Sequence, residues 1–182
     1  MEMADDNRVS GHASVFNQLA DIGPSYEEMA PHAFDEVLRR DEDVRFLLNH
    51  NPDHLLGRTT SGTLRLSKDQ TGLGVEDDLP DTSLGRDVRV LIRRGDLTGF
   101  SFGFAPDEQS DTFRLAPDGK QIRTRNNVAR LADASIVTYP AYNGANDAVL
   151  RSVDFSKSTG NSLSNRDRLI RARAAGYHKI GR

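Results

Sequence analysis

The chain is 182 residues long, and its 24 Lys and Arg against 27 Asp and Glu leave a formal charge of −3, a balance that argues against a protein that coats nucleic acid. The length suits one domain with a tail and falls short of an eight-fold β/α barrel of about 250 residues, while 36% apolar and 28% charged residues allow a modest core and argue against wholesale disorder. With no cysteine, a disulfide framework, a thiolate zinc cluster and a cysteine nucleophile are excluded.

The first residues, Met-Glu-Met-Ala-Asp-Asp, are acidic where a secretory signal is basic. No apolar run approaches the ~20 residues that cross a bilayer, so the expected protein acts where it is made, without a membrane partner. Charge divides the chain near Arg151: residues 151–182 carry +6 and residues 1–150 carry −9. The expected organisation is a folded domain over 1–150 and a flexible basic linker and tail over 151–182. Within that tail, 152–165 is rich in Ser, Asn and Gly, and Arg166–Ala175 is basic and helix-prone.

In chain order, Gly11–Phe16 alternates as a strand, and Pro31–Arg39 has Pro at a first helical position with Phe34, Val37 and Leu38 on one face. Asp43–Leu48 predicts a strand, and Asn51-Pro52 looks like a helix cap and first helical residue. Thr63–Leu66 and Gly72–Glu76 are short β pieces before a turn at Asp77–Pro80. Asp81–Arg94 is the strongest helix: Asp81 or Thr82 can cap it, Leu84, Val88, Leu91 and Ile92 form its stripe, and Gly95 follows its end. Strand Leu97–Phe104, a hairpin over Phe113–Thr124 turning at Asp118-Gly119, and strand Val128–Val137 complete the domain. Two helices among many strands predict a β-rich α+β fold, mostly antiparallel, rather than a doubly wound parallel sheet.

The chemistry concentrates on Gly99-Phe100-Ser101-Phe102-Gly103-Phe104. Alternation puts the three Phe on one face and Gly99, Ser101 and Gly103 on the other. A bare row admits either a tightly packed second layer or an approaching substrate backbone, so Gly99 and Gly103 are the candidate substrate-binding positions and the Ser101 hydroxyl is the reactive group. The string matches the Gly-x-Ser-x-Gly of α/β-hydrolases, but that motif needs a sharp turn at the serine and then a helix, and here the strand pattern runs straight through.

A serine hydroxyl needs a base, and the histidines are His12, His32, His50, His54 and His178. His50 ends an apolar strand where core meets solvent, the position of either a base set by a rigid element or an exposed turn residue. Asp133 lies among apolar and small residues in a strand, where aspartate is disfavoured; it either faces solvent at an edge or is buried and needs a partner, such as a catalytic imidazole. His50, Asp53 and His54 share metal-ligand spacing on a helix, but Pro52 would leave His50 outside such a helix, and no metal or other cofactor is expected.

Asn49-His50, Leu56-Gly57-Arg58-Thr59 with Ser61-Gly62-Thr63-Leu64, Gly72-Leu73, Leu79-Pro80-Asp81-Thr82, Arg94-Gly95-Asp96, Phe100-Ser101-Phe102-Gly103-Phe104 and Ser135-Ile136-Val137-Thr138-Tyr139-Pro140-Ala141-Tyr142 occur in this order. Together they resemble the prohead (capsid maturation) protease family of tailed bacteriophages, over roughly residues 10–150. The family is similar in fold to herpesvirus maturation proteases, which implies a closed antiparallel β-barrel with flanking helices. The resemblance implies Ser101 as nucleophile, His50 as its base and Asp133 as third member. The chain has Phe100 where the family usually has Met, and Asp133 where it often has Glu.

Also implied are cleavage of scaffold sequence from the major capsid protein and of the protease itself, inside an assembling procapsid in the host bacterial cytoplasm, with a homodimer suggested by the herpesvirus relatives. No specific nucleic-acid partner is expected. The basic tail would then dock or be cleaved, and the Asn143-Gly144 loop is one source of oxyanion donors. The alternatives are a non-enzymatic scaffold or capsid-interaction protein that kept the barrel, and a metal-dependent hydrolase built on His50, Asp53 and His54.

Overall fold

The computed structural model describes residues 7–140. The expectations for the Asn143-Gly144 loop, His178 and the tail over 151–182 lie outside these residues. In chain order the described elements are β1 (Arg8–Val15), β2 (Ala20–Asp21), β3 (Ser25–Met29), α1 (Asp35–Arg39), β4 (Arg45–Leu48), β5 (Asn51–Arg58), a 3-10 turn (Thr59–Ser61), β6 (Leu64–Lys68), β7 (Gly72–Asp78), α2 (Ser83–Arg94), β8 (Gly99–Pro106), β9 (Thr112–Leu115), β10 (Gln121–Arg125) and β11 (Val128–Val137). No described helix is long and apolar enough to cross a membrane.

The β-rich α+β class holds, but the closed antiparallel barrel does not. Among the described residues the strands form three sheets, ordered β1-β7-β6, β2-β3-β10-β9 and β5-β4-β11-β8. Two pairs are parallel, β3 with β10 and β4 with β11. Both join strands distant in the chain through long connections, as parallel pairing requires.

Charge explains why β3 escapes a reading by hydrophobic alternation. Its sequence is Ser-Tyr-Glu-Glu-Met, and both glutamates are buried. Glu27 accepts from Arg125 Nε at 2.7 Å, and Glu28 accepts from Arg114 and from the Thr124 hydroxyl. Arg125 also bonds Asp111 at 2.6 Å. Burying these charges is tolerable only because each finds a partner from β9, β10 or the loop before β9.

Helix α2 forms as its pattern predicts. Thr82 Oγ1 accepts the Gly85 N–H, Gly95 closes the helix with a left-handed φ of 78°, and Val88 and Ile92 are buried. The first helix, by contrast, starts at Asp35 rather than Pro31. The Ala33 carbonyl, which an α-helix through this segment would use internally, instead accepts the N–H of Val128 at 2.9 Å, and residues before Asp35 make tighter turns. The helix expected from Asn51-Pro52 is also absent; both residues belong to β5, which lies at the rim of its sheet, where a strand proline is tolerated.

One apolar core joins residues from all three sheets and both helices. Phe100 and Phe102 of β8 point into it: Phe102 meets Phe34 edge-on at 5.4 Å and stacks on Phe104 at 5.1 Å, and Phe100 lies 6.1 Å from Phe46. Each such ring stabilises the fold by about 1.5–3 kcal/mol. Inside the β1-β7-β6 sheet two buried residues lack hydrogen-bond partners for their side chains, Ser14 and, at greater cost, Asp77. Asp77 is wholly buried, and neither carboxyl oxygen has a hydrogen-bond partner. Burial pushes its pKa up to about 7. Gly57 of β5 makes room for it, since a Cβ there would collide with the carboxyl group.

Candidate active site

The site is built on the antiparallel pair of β8 and β11. Directly opposed residues in such a pair share a face. The opposed pairs are Phe100 with Ile136, Ser101 with Ser135, Phe102 with Ala134, and Gly103 with Asp133. Phe100, Phe102, Ala134 and Ile136 therefore face the core, and Ser101, Gly103, Asp133 and Ser135 share the other face.

Asp133 reaches that face because of a bulge. The register advances by two residues on β11, from Leu131 to Asp133, while β8 advances by one, from Phe104 to Gly103. Ala132 is the extra residue. With Ala132 present but not bulged, strict alternation would put Asp133 on the same face as Leu131, which is 1% exposed in the core.

His50 comes from a tight turn. β4 and β5 pair antiparallel with Leu48 opposite Asn51, leaving a two-residue loop of Asn49 and His50, both with left-handed φ of 55° and 56°. Such a hairpin loop needs positive φ at both central positions, and Asn and His tolerate it better than most residues that have a side chain. Asn49 fastens the turn to β11: its N–H donates to the Ile136 carbonyl at 2.9 Å and its Oδ1 accepts from the Thr138 N–H at 2.9 Å. The parallel pairing of β4 with β11 then brings the turn beside the end of β11.

His50 and Asp133 meet: Nδ1 lies 2.6 Å from Asp133 Oδ1, with the side chains 23% and 15% exposed. Asp133 Oδ1 also accepts from Ser135 Oγ at 2.7 Å. With the carboxylate ionised, the imidazole carries its proton on Nδ1 and keeps a lone pair on Nε2. Ser101, 6% exposed, occupies the same sheet face. Among the described residues its hydroxyl has no hydrogen-bond partner, so the imidazole and carboxylate are joined to each other but not yet to the serine.

Neither glycine leaves simple open space. At Gly99 a Cβ would lie 2.8 Å from the Pro140 ring, and at Gly103 it would collide with the Asp133 carboxylate. The other described histidines go elsewhere: His12 Nε2 pairs with Asp69 at 2.8 Å, His32 is exposed, and His54 lies 3.3 Å from the Asn51 amide. Among the described residues no three metal-ligating side chains cluster. In the sequence Asn49 and Ser135 stand only as motif letters, with no role of their own. The signal for Asn49 was its place before His50 between two strands, a turn position for a residue that accepts left-handed backbone.

An imidazole oriented by a carboxylate beside a hydroxyl on one sheet face is the equipment of a hydrolase that works through a serine. Residues 1–158 match the family of caudovirus prohead serine proteases, and the chain belongs to that family. The prohead protease of Enterobacteria phage HK97 is 31% identical over 147 residues, 79% of this chain and 60% of that protein. The chain thus spans about three-fifths of the length of this relative. Two solved structures are similar at 13% identity: a KSHV protease, with a TM-score of 0.40 and coverage of 93% of this chain and 73% of the other, and a KSHV protease in complex with a hexapeptide phosphonate inhibitor, with a TM-score of 0.45 and coverage of 93% and 76%.

Proposed function

We propose that this protein is a serine endopeptidase of prohead maturation in which Ser101 is the nucleophile, His50 the general base and Asp133 the residue that orients it. The observation that carries the reading is the 2.6 Å contact of His50 Nδ1 with Asp133 on the face that bears Ser101. His50 Nε2 takes the Ser101 proton as Oγ attacks the scissile carbonyl, and Asp133 stabilises the imidazolium that forms. The imidazolium then protonates the leaving amine, and water resolves the acyl-enzyme by the reverse proton route. Backbone N–H groups near Ser101 stabilise the oxyanion, a contribution of roughly 3–4 kcal/mol per donor in a serine protease.

The substrate chain runs extended beside β8, the last strand of its sheet, in the manner of an added strand. In this reading Gly99 and Gly103 serve it through their main chain, since Pro140 and Asp133 fill the space beside their α-carbons. Family membership supports the major capsid protein and its scaffold segment as substrate, with the protease itself as a second one, inside the procapsid within the host cytoplasm.

The test is Ser101→Ala. Removing one oxygen from a row of small residues leaves the fold intact, and we expect capsid subunits assembled with this variant to keep their full mass by intact mass spectrometry. Shortened subunits from the Ser101→Ala chain would overturn the assignment.

A further inference from the structure

Two serines face each other across β8 and β11, and they differ in what they touch. Ser135 is wholly buried, and its hydroxyl donates to Asp133 Oδ1 at 2.7 Å. With no exposed surface it cannot meet a substrate carbonyl, which makes it unfit as a nucleophile. The same Oδ1 takes His50 Nδ1 at 2.6 Å, so both lone-pair positions of that oxygen are filled. Oδ2 is turned toward Gly103, where a Cβ would strike it.

We propose that Ser135 is a positioning residue of this site, its hydroxyl fixing the Asp133 carboxylate in the one orientation that holds the His50 imidazole toward Ser101. The inference rests on the triad reading above. A carboxylate on a single methylene can rotate, and alternation along β11 does not determine where its oxygens point. The Ser135 hydroxyl holds Oδ1 from the side of the strand, and the missing side chain at Gly103 admits Oδ2. Among the described residues no other charged group pairs with the carboxylate: β8 brings Ser101 and Gly103, and the β4 residue in register, Arg45, pairs with Asp43 at 3.1 Å.

The test uses the full chain. In the Ser101→Ala background, the His50 Nδ1–H is followed by NMR with Ser135 present and with Ser135→Ala added. Loss of the hydroxyl frees the carboxylate to rotate, and the downfield Nδ1–H signal of the hydrogen bond to Asp133 should move upfield and broaden. In the chain with Ser101 intact, Ser135→Ala should lower kcat on the capsid subunit roughly ten- to a hundredfold with KM little changed. Ser135→Thr, which keeps the hydroxyl, should restore most of that loss. An unmoved His50 Nδ1–H signal or an unchanged kcat in Ser135→Ala overturns the assignment. Cleavage retained by Ser101→Ala would instead overturn the triad on which it stands.

Discussion

A single methyl group added at Gly103 would occupy the place of one Asp133 oxygen. Gly103→Ala should therefore displace the carboxylate and lower cleavage by at least tenfold. A circular dichroism melt close to that of the parent would show that the loss is local. For His50→Ala we expect a fall of roughly 10²–10⁴-fold, the usual contribution of a general base, measured as the single-turnover rate of capsid-subunit cleavage. Asp133→Asn should lose less than His50→Ala, since its amide keeps one oxygen near Nδ1; wild-type rates in Asp133→Asn would remove it from the mechanism. Asn49→Ala tests the mount rather than the chemistry. It removes the acceptor for the Thr138 N–H and puts alanine at a left-handed φ, a cost of about 1–3 kcal/mol. Its stability and activity should fall together, and Asn49→Gly, which suits the backbone, should recover more of the stability than of the activity.

Among the elements, legibility followed how local the cause was. Helix α2 could be read because its cap, stripe and closing glycine all lie within Thr82–Gly95. The aromatic face of β8 could be read because three Phe at alternate positions leave one orientation. β3 was hidden because its buried glutamates look like solvent-facing residues until Arg114 and Arg125, some 90 positions away, are brought beside them. β5 was hidden by Pro52 and its polar neighbours, which only a rim position permits. The barrel expectation came from the family resemblance, and the described strands group otherwise. In the candidate site, Ser101, His50 and Asp133 could each be singled out by residue type and setting. What joins them could not, because the bulge at Ala132 and the left-handed turn at Asn49-His50 are backbone features that alternation does not encode. Breaking the buried pair by Arg125→Ala should destabilise by about 3–5 kcal/mol in urea titrations, because Glu27 and Asp111 would lose the buried guanidinium they share.

For the molecule as a whole, pH acts on stability from two directions. Asp43, Asp69 and Asp78 are each held down to about 2, Asp43 by Arg58, Asp69 first by the Gly72 N–H and then His12, and Asp78 by Arg65 and Arg8. Their contribution is present above about pH 4 and is lost as pH falls toward 2, though their exposure keeps it small. Asp77 works in the opposite sense. With its folded value raised to about 7, the native state keeps a proton that the unfolded chain gives up near pH 4. Stability therefore declines as pH rises through that interval and levels off above it, by at most roughly 4 kcal/mol. Urea unfolding at pH 5 and 7.5 checks this: the wild type should be weaker at the higher pH, and Asp77→Asn should flatten the difference. The sheet that carries the site is ordered β5-β4-β11-β8, so the acid stands on an interior strand while the imidazole rides on the hairpin that leads to the rim. Fraying of that hairpin would withdraw the proton acceptor and leave the hydroxyl and the carboxylate in place. If the proposed mechanism holds, one frayed edge would idle the site without a refolding, and faster amide exchange over Asn51–Arg58 than over Val128–Val137 would be its signature.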